Sequence, residues 1–200
     1  LLSQVAQWLF NGGVCHAESF DGDAEYYTKE VHFFDSDERY AKGVDFYSRR
    51  FEHCIADNSN GNGNSSSLIM DATPNTLLHA QRVRDVYNKA GEDLASKLKM
   101  LVILREPGER ELSLYHHKKS IYRQMRNAEY LETTMNEDAW YSDIVSAGGE
   151  GGLMSFEEYA KNMLTTQLTS QGQKPMGYYV DYLLEWTRLF DRHQILVLSY

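Results

Sequence analysis

Hydrophobic and polar positions follow two periods in this chain, and the clearest switch between them falls at residues 98–115. Met100-Leu101-Val102-Ile103-Leu104 is an apolar run with no polar face. Such a run predicts a strand buried on both sides, the kind found in parallel sheets. From Pro107 the spacing becomes helical, with Leu112, Tyr115, Ile121 and Tyr122 on the inward face. Proline suits the first turn of a helix, where its missing N–H has no partner to lose. Arg105 stands where the strand ends, and Ser113 lies roughly two turns into the helix. In open α/β sheets ligands gather at the carboxyl ends of strands. A guanidinium fork with a nearby hydroxyl suits a phosphate there. The competing reading pairs Arg105 with Glu106 or Glu109 and leaves Ser113 on the helix surface.

The same reading extends along the chain. Leu1, Leu2, Val5, Trp8 and Leu9 have helical spacing, and Asn11-Gly12-Gly13 stops that helix. Over Thr28–Asp35 an extended segment would place Glu30, His32 and Phe34 on one face and Val31, Phe33 and Asp35 on the other. Val44, Tyr47 and Phe51 return to helical spacing and read as core. Residues 57–67 form a loop by composition, and Leu68–Asp71 is a short strand. Asn75–Ala90 reads as a helix with Leu77, Leu78, Val83 and Tyr87 inward. Helices are also predicted over Tyr130–Ser146 and Ser155–Leu168, around a Gly-rich loop at 148–152. Ser155-Phe-Glu-Glu resembles a capped helix start. Tyr182, Trp186, Leu189 and Phe190 mark a late helix, and Gln194–Leu198 a last apolar strand. The pattern is α/β, with strands and helices in alternation. A chain of 200 residues can bury one substantial core. It begins inside a helical pattern and stops at a strand end, so residues 1–200 read as one domain truncated at both ends.

Charge narrows the partners. A net charge of −9 argues against broad nucleic-acid binding. The one basic cluster, His117-Lys118-Lys119 with Arg123 and Arg126, either takes an acidic acceptor or is a solvated helix face. No metal is expected, because His116-His117 has no further ligand at metal spacing. No apolar run approaches the ~20 residues that span a membrane, which places any anchor outside this fragment. Cys15 and Cys54 could bridge or stay reduced and buried, and the reduced form is the expectation. Asn64-Ser65-Ser66 is a glycosylation sequon in a loop.

Two strings carry a family resemblance. Leu-Arg-Glu-Pro-x-Glu-Arg-x-x-Ser-x-Tyr over residues 104–115 resembles the 3′-phosphate-binding segment of sulfotransferases that use 3′-phosphoadenosine 5′-phosphosulfate (PAPS). Lys29-Glu-Val-His-Phe-Phe-Asp35 resembles the catalytic segment of glycosaminoglycan sulfotransferases, especially the heparan sulfate 3-O- and N-sulfotransferases. The segment from Tyr40 to Tyr47 and the late helix–strand unit are similar too. The resemblance implies a P-loop NTPase-like three-layer sandwich, a central parallel sheet flanked by helices. It implies sulfuryl transfer from PAPS, without a metal, to a hydroxyl or amine of a carbohydrate, possibly polyanionic, in the Golgi lumen or at its membrane. Glu30 would be the base, His32 and Asp35 its supports, and Arg105 and Ser113 the ligands of the donor. His117, Lys118, Lys119 and Thr73 are the candidate acceptor contacts. The family's phosphosulfate-binding loop would lie upstream of Leu1, and neither Gly12-Gly13 nor Gly148–Gly152 replaces it. The family has Asp where Glu106 stands, and a Glu-Lys pair where this chain has Asp71-Ala72. That missing Lys keeps two alternatives open: a non-catalytic glycan-binding module, and a sulfotransferase acting on protein tyrosine or a small molecule. A P-loop kinase would share the fold but leave Lys29–Asp35 unexplained.

Overall fold

The computed structural model describes residues 13–18, 30–56, 68–91, 94–127, 144–145, 152–165 and 176–200. The expected helix at 1–11, the loop at 57–67 with its sequon, and most of 130–151 lie outside these residues. The architecture is α/β, and the chain divides into two compact units, Leu1–Ile103 with Val180–Val197, and Leu104–Tyr179 with Leu198–Tyr200.

In the first unit β1 (Cys15–His16) pairs in parallel with β2 (Ile69–Met70), with Cys15 opposite Ile69. Three short helices follow the motif at 30–35: α1 (Asp37–Ala41), α2 (Val44–Ser48) and α3 (Glu52–Ala56). Ser36 caps α1 by accepting the amide of Arg39. Gly43 opens α2 at φ 82°, a left-handed conformation that an L side chain rarely adopts. Phe33, Phe34, Tyr47 and Phe51 pack as a continuous aromatic cluster, with centroid separations of 4.8–5.3 Å. As the spacing predicts, Tyr47 and Phe51 are core.

The predicted helix over 75–90 forms in two pieces. A 3₁₀ segment runs over Pro74–Leu78, and α4 spans Ala80–Ala90 with Val83 and Val86 buried. Short α5 (Leu94–Lys97) leads to β3 (Met100–Leu104), which pairs with β4 (Ile195–Ser199). β3 lies where the apolar run places it, but the expectation of burial on both faces is not met. Leu101 is 44% exposed, and among the described residues the sheets are two-stranded, so only part of each face is covered. α8 (Tyr179–Leu189) returns Trp186 and Phe190 to the core, and the Trp186 indole donates to the carbonyl of Leu77 at 2.8 Å. The buried amide of Gln194 donates to the carbonyls of Ala95 and Leu98, which satisfies two backbone groups in and just after α5.

The cysteines correct a second expectation. Cys15 and Cys54 form a disulfide that ties β1 to α3 across 39 positions. Their spacing in the chain says nothing of this. The fold brings the two Cα atoms within 5.9 Å, inside the range a bridge needs. By loop-closure entropy such a link stabilises by about 4 kcal/mol.

The second unit is organised on α6 (Pro107–Asn127), which starts at the predicted proline. Tyr115 and Tyr122 are buried as expected and pack with Ile144 and Tyr159. Leu112, expected to face inward, is 39% exposed. α7 (Phe156–Thr165) opens with the predicted capping box: Ser155 accepts the Glu158 amide and Glu158 accepts the Ser155 amide. Among the described residues, no helix is long and apolar enough to cross a membrane.

Candidate active site

Glu30, His32 and Asp35 converge, but not by the alternation of a strand. Residues 30–36 are neither helix nor strand. Burial alternates as far as Phe33 and then breaks, because Phe34 joins Phe33 in the core. The break follows from His32, whose φ of 51° lies in the left-handed region. For a residue with a Cβ that conformation costs about 1–2 kcal/mol. It turns the chain so that the imidazole is held between two carboxylates. Nδ1 lies 2.9 Å from Asp35 and Nε2 lies 3.4 Å from Glu30.

This arrangement sets the protonation states. The hydrogen bond to Asp35, then that to Glu30, raises His32 from 6.5 to about 9, against the opposing effect of burial. At neutral pH the ring is therefore an imidazolium with both N–H groups donating. Burial pushes the Asp35 carboxyl up, but the hydrogen bond and charge of His32 outweigh it and hold it below the usual range. A charged His32 keeps the facing Glu30 carboxylate oriented through one oxygen. Glu30 is partly exposed, at 22% of its side chain, so it can meet an incoming group.

The turn is tethered by side chains from elsewhere in the first unit. The amide of Val31 donates to Asp71 Oδ1 at 3.4 Å, and that of His32 to Thr73 Oγ1 at 3.0 Å. The guanidinium of Arg39 donates to the carbonyl of Val31 at 2.7 Å, and that of Arg82 to the carbonyl of Phe34 at 2.8 Å. Arg82 also pairs with Asp37 and lies over the ring of Tyr40. Arg39 and Arg82 are neighbours of the turn that the sequence pattern does not single out, whereas Asp71 stands at the family's Glu-Lys position. One local signal exists in Asp71-Ala-Thr-Pro: the Asp71 side chain accepts the amide two residues on, which is an Asx turn. Nothing in the sequence announces the two arginines.

In the second unit Arg105 follows β3, as the pattern requires. Its Nε donates to Glu109 at 3.2 Å, and its guanidinium lies 5.9 Å from the centre of the Tyr200 ring. The ion pair of the competing reading is thus present. It is also exposed, at 33% for Arg105 and 64% for Glu109, so it is worth little and can be exchanged for another anion. Glu106 has a different task. Its carboxylate accepts the amide of Glu109 at 2.7 Å, and bonds from the Gly108 and Glu109 amides lower its pKa. It caps the start of α6, a role that Asp or Glu can fill, which accounts for the departure at this position. Ser113 lies exposed on α6. His117 is exposed and Lys119 half-buried against Tyr115, with its ammonium 5.4 Å from the ring centre, whereas Lys118 is only 4% exposed. Thr73 is 5% exposed, with its hydroxyl engaged inside the protein.

The turn thus presents a carboxylate beside an imidazolium, and the segment after β3 presents a guanidinium in an exchangeable ion pair. The model of the sulfotransferase domain matches residues 16–200, and the chain belongs to that family. Among curated proteins it is similar to heparan sulfate glucosamine 3-O-sulfotransferase 5 of Mus musculus, at 27% identity over 88 residues, and to that of Homo sapiens, at 26% over 88 residues. Each match takes in 44% of this chain and 21% of the relative.

Proposed function

We propose that the protein moves a sulfuryl group from PAPS to a hydroxyl or amine of a carbohydrate, with Glu30 as general base. The observation that carries this reading is the Glu30–His32–Asp35 arrangement, in which a partly exposed carboxylate is fixed by a charged imidazole. A hydroxyl is a poor nucleophile at neutral pH. A carboxylate within ~3 Å accepts its proton as the new bond forms. The acceptor oxygen then bonds to sulfur, the bond from sulfur to the 5′-phosphate oxygen breaks, and the leaving nucleotide carries away the negative charge. His32 aims Glu30, and Asp35 holds His32.

Arg105 and Ser113 are the proposed ligands of the 3′-phosphate of PAPS. Both are open to solvent, and Arg105 is paired with Glu109, an exposed acid that a phosphate dianion can displace. No metal enters this scheme. For the acceptor we retain His117 and Lys119, an exposed imidazole and a half-buried ammonium whose hydrogen-bonding groups suit a sulfated or acidic sugar. Burial argues that Thr73 and Lys118 support the structure around them. Residues 1–200 are read as a single sulfotransferase domain of the P-loop-like three-layer type. Heparan sulfate, the substrate named in both relatives, is the proposed acceptor class. A disulfide fits an oxidising compartment, in accord with the Golgi location that the family resemblance implies.

The absence of a Lys at Ala72 suits a module that only binds glycans, but such a module has no need of a carboxylate fixed by an imidazolium. The test is Glu30→Gln in the complete protein. Transfer of labelled sulfate from PAPS should fall by about 10²- to 10⁴-fold, while adenosine 3′,5′-bisphosphate binds as before. Undiminished transfer would remove Glu30 from the mechanism.

A further inference from the structure

We propose that Asp71 and Thr73 are positioning residues of this site: they hold the backbone of Val31 and His32 in the turn that brings the His32 imidazole against Glu30. The inference rests on the reading of Glu30 as the base. It extends that reading to residues 40 and 41 positions away from the amides they bind.

The Val31 and His32 amides belong to no strand, so their partners decide the path of the chain. Val31 N–H reaches Asp71 Oδ1 and His32 N–H reaches Thr73 Oγ1. Asp71 Oδ1 also accepts the Thr73 amide at 3.0 Å and the Thr73 hydroxyl at 2.7 Å. A hydroxyl has one hydrogen to give. Given to a carboxylate, that hydrogen leaves the lone pairs of Thr73 for His32 N–H. Asp71 thereby fixes the direction of the Thr73 hydroxyl, and Thr73 fixes His32. The other oxygen of Asp71 accepts from the Tyr47 hydroxyl at 3.4 Å, which anchors the clamp in the aromatic core. Burial pushes the Asp71 carboxyl up, and the bonds from Thr73 and Val31 pull it back only in part.

Thr73 is buried, and Asp71, though half-buried, has both carboxylate oxygens engaged within the protein, so each acts through the turn it holds. The left-handed conformation of His32 is unfavourable for a residue with a side chain. It persists because the surrounding bonds hold it. The charged groups around the turn are Glu30, Asp35 and Asp71, with Arg39 and Arg82 on its carbonyls and His79 close enough to feel Asp35.

The test compares Thr73→Val, which keeps the shape and loses the hydroxyl, with Thr73→Ser, which keeps the hydroxyl. The readout is the imidazole NMR titration of His32 in the complete protein, assigned by its absence in His32→Gln. Wild type should titrate near 9. In Thr73→Val the midpoint should fall by about one unit or more towards 6.5, and kcat should fall about tenfold or more with KM for PAPS unchanged. Thr73→Ser should restore both. A folded Thr73→Val with an unmoved midpoint would overturn the proposal, as would a Thr73→Ser that loses as much as Thr73→Val. If Thr73→Val does not fold, hydrogen exchange in the wild type decides. Protected Val31 and His32 amides support the clamp, and freely exchanging ones refute it. The titration needs no turnover, so a protein without sulfotransferase activity would refute the base assignment and leave the clamp standing.

Discussion

The turn at residues 30–35 and the strand–helix unit at 100–127 hold their charged groups in opposite ways. In the first, an imidazolium and two carboxylates sit on an irregular backbone whose bonds come from Arg39, Asp71, Thr73 and Arg82. In the second, Arg105 directly follows β3 and Ser113 lies on α6, with their polar ends open to solvent. The first set is fixed before any partner arrives, and the second is left exchangeable. That division suits the roles proposed for them. A base must be aimed before reaction, whereas a nucleotide must be able to enter and leave.

The contrast predicts that equivalent deletions will differ in kind. The largest effect is expected for Asp35→Asn, which takes the charge from one of the two acceptors of a half-buried imidazolium. It should lower folding stability by about 2–3 kcal/mol in urea titration. A loss indistinguishable from zero would mean that the turn is not prearranged. Next comes Arg105→Ala, which should leave stability nearly unchanged. It should weaken adenosine 3′,5′-bisphosphate by about 10- to 100-fold, the worth of a charge-assisted hydrogen bond or two. Calorimetry with adenosine 5′-phosphate should show little change, and equal losses for both nucleotides would contradict the 3′-phosphate role.

The smallest effect is on the pH dependence of stability. The pKa of His32 is raised on folding, so its contribution is complete below about 6.5 and is lost as pH rises through about 9. Because the ring is partly exposed, the contribution is on the order of 1 kcal/mol after solvent screening. The melting temperature should drift down over that window, and His32→Gln should flatten the drift. An equal drift in the variant would assign it to another group.

The chain itself discloses the regular unit best. Apolar run, Pro107 and helical spacing fix β3 and α6 because both elements answer to local rules, and the Ser155–Glu158 cap is legible for the same reason. The sequence also points to Glu30 and His32, but through a strand that does not form, and to Asp35 only through the family resemblance, since that strand would turn it to the opposite face. Alternation cannot reveal a left-handed residue, since any side chain pattern is compatible with it until a distant partner takes the amide. Thr73, Arg39, Arg82 and the Cys15–Cys54 link all act across the fold, and chain separation carries no trace of them. Exposure of Leu112 and Leu101 is equally hidden, because it depends on what else covers a face.

The bridge between Cys15 and Cys54 bears on how the protein is handled. Dithiothreitol, added by habit during purification, would open the strap between the first strand and the third helix. A preparation made in a reducing cytosol would never close it. Either sample could fail an assay for want of one covalent bond, and the silence would be wrongly laid to the chemistry of the site.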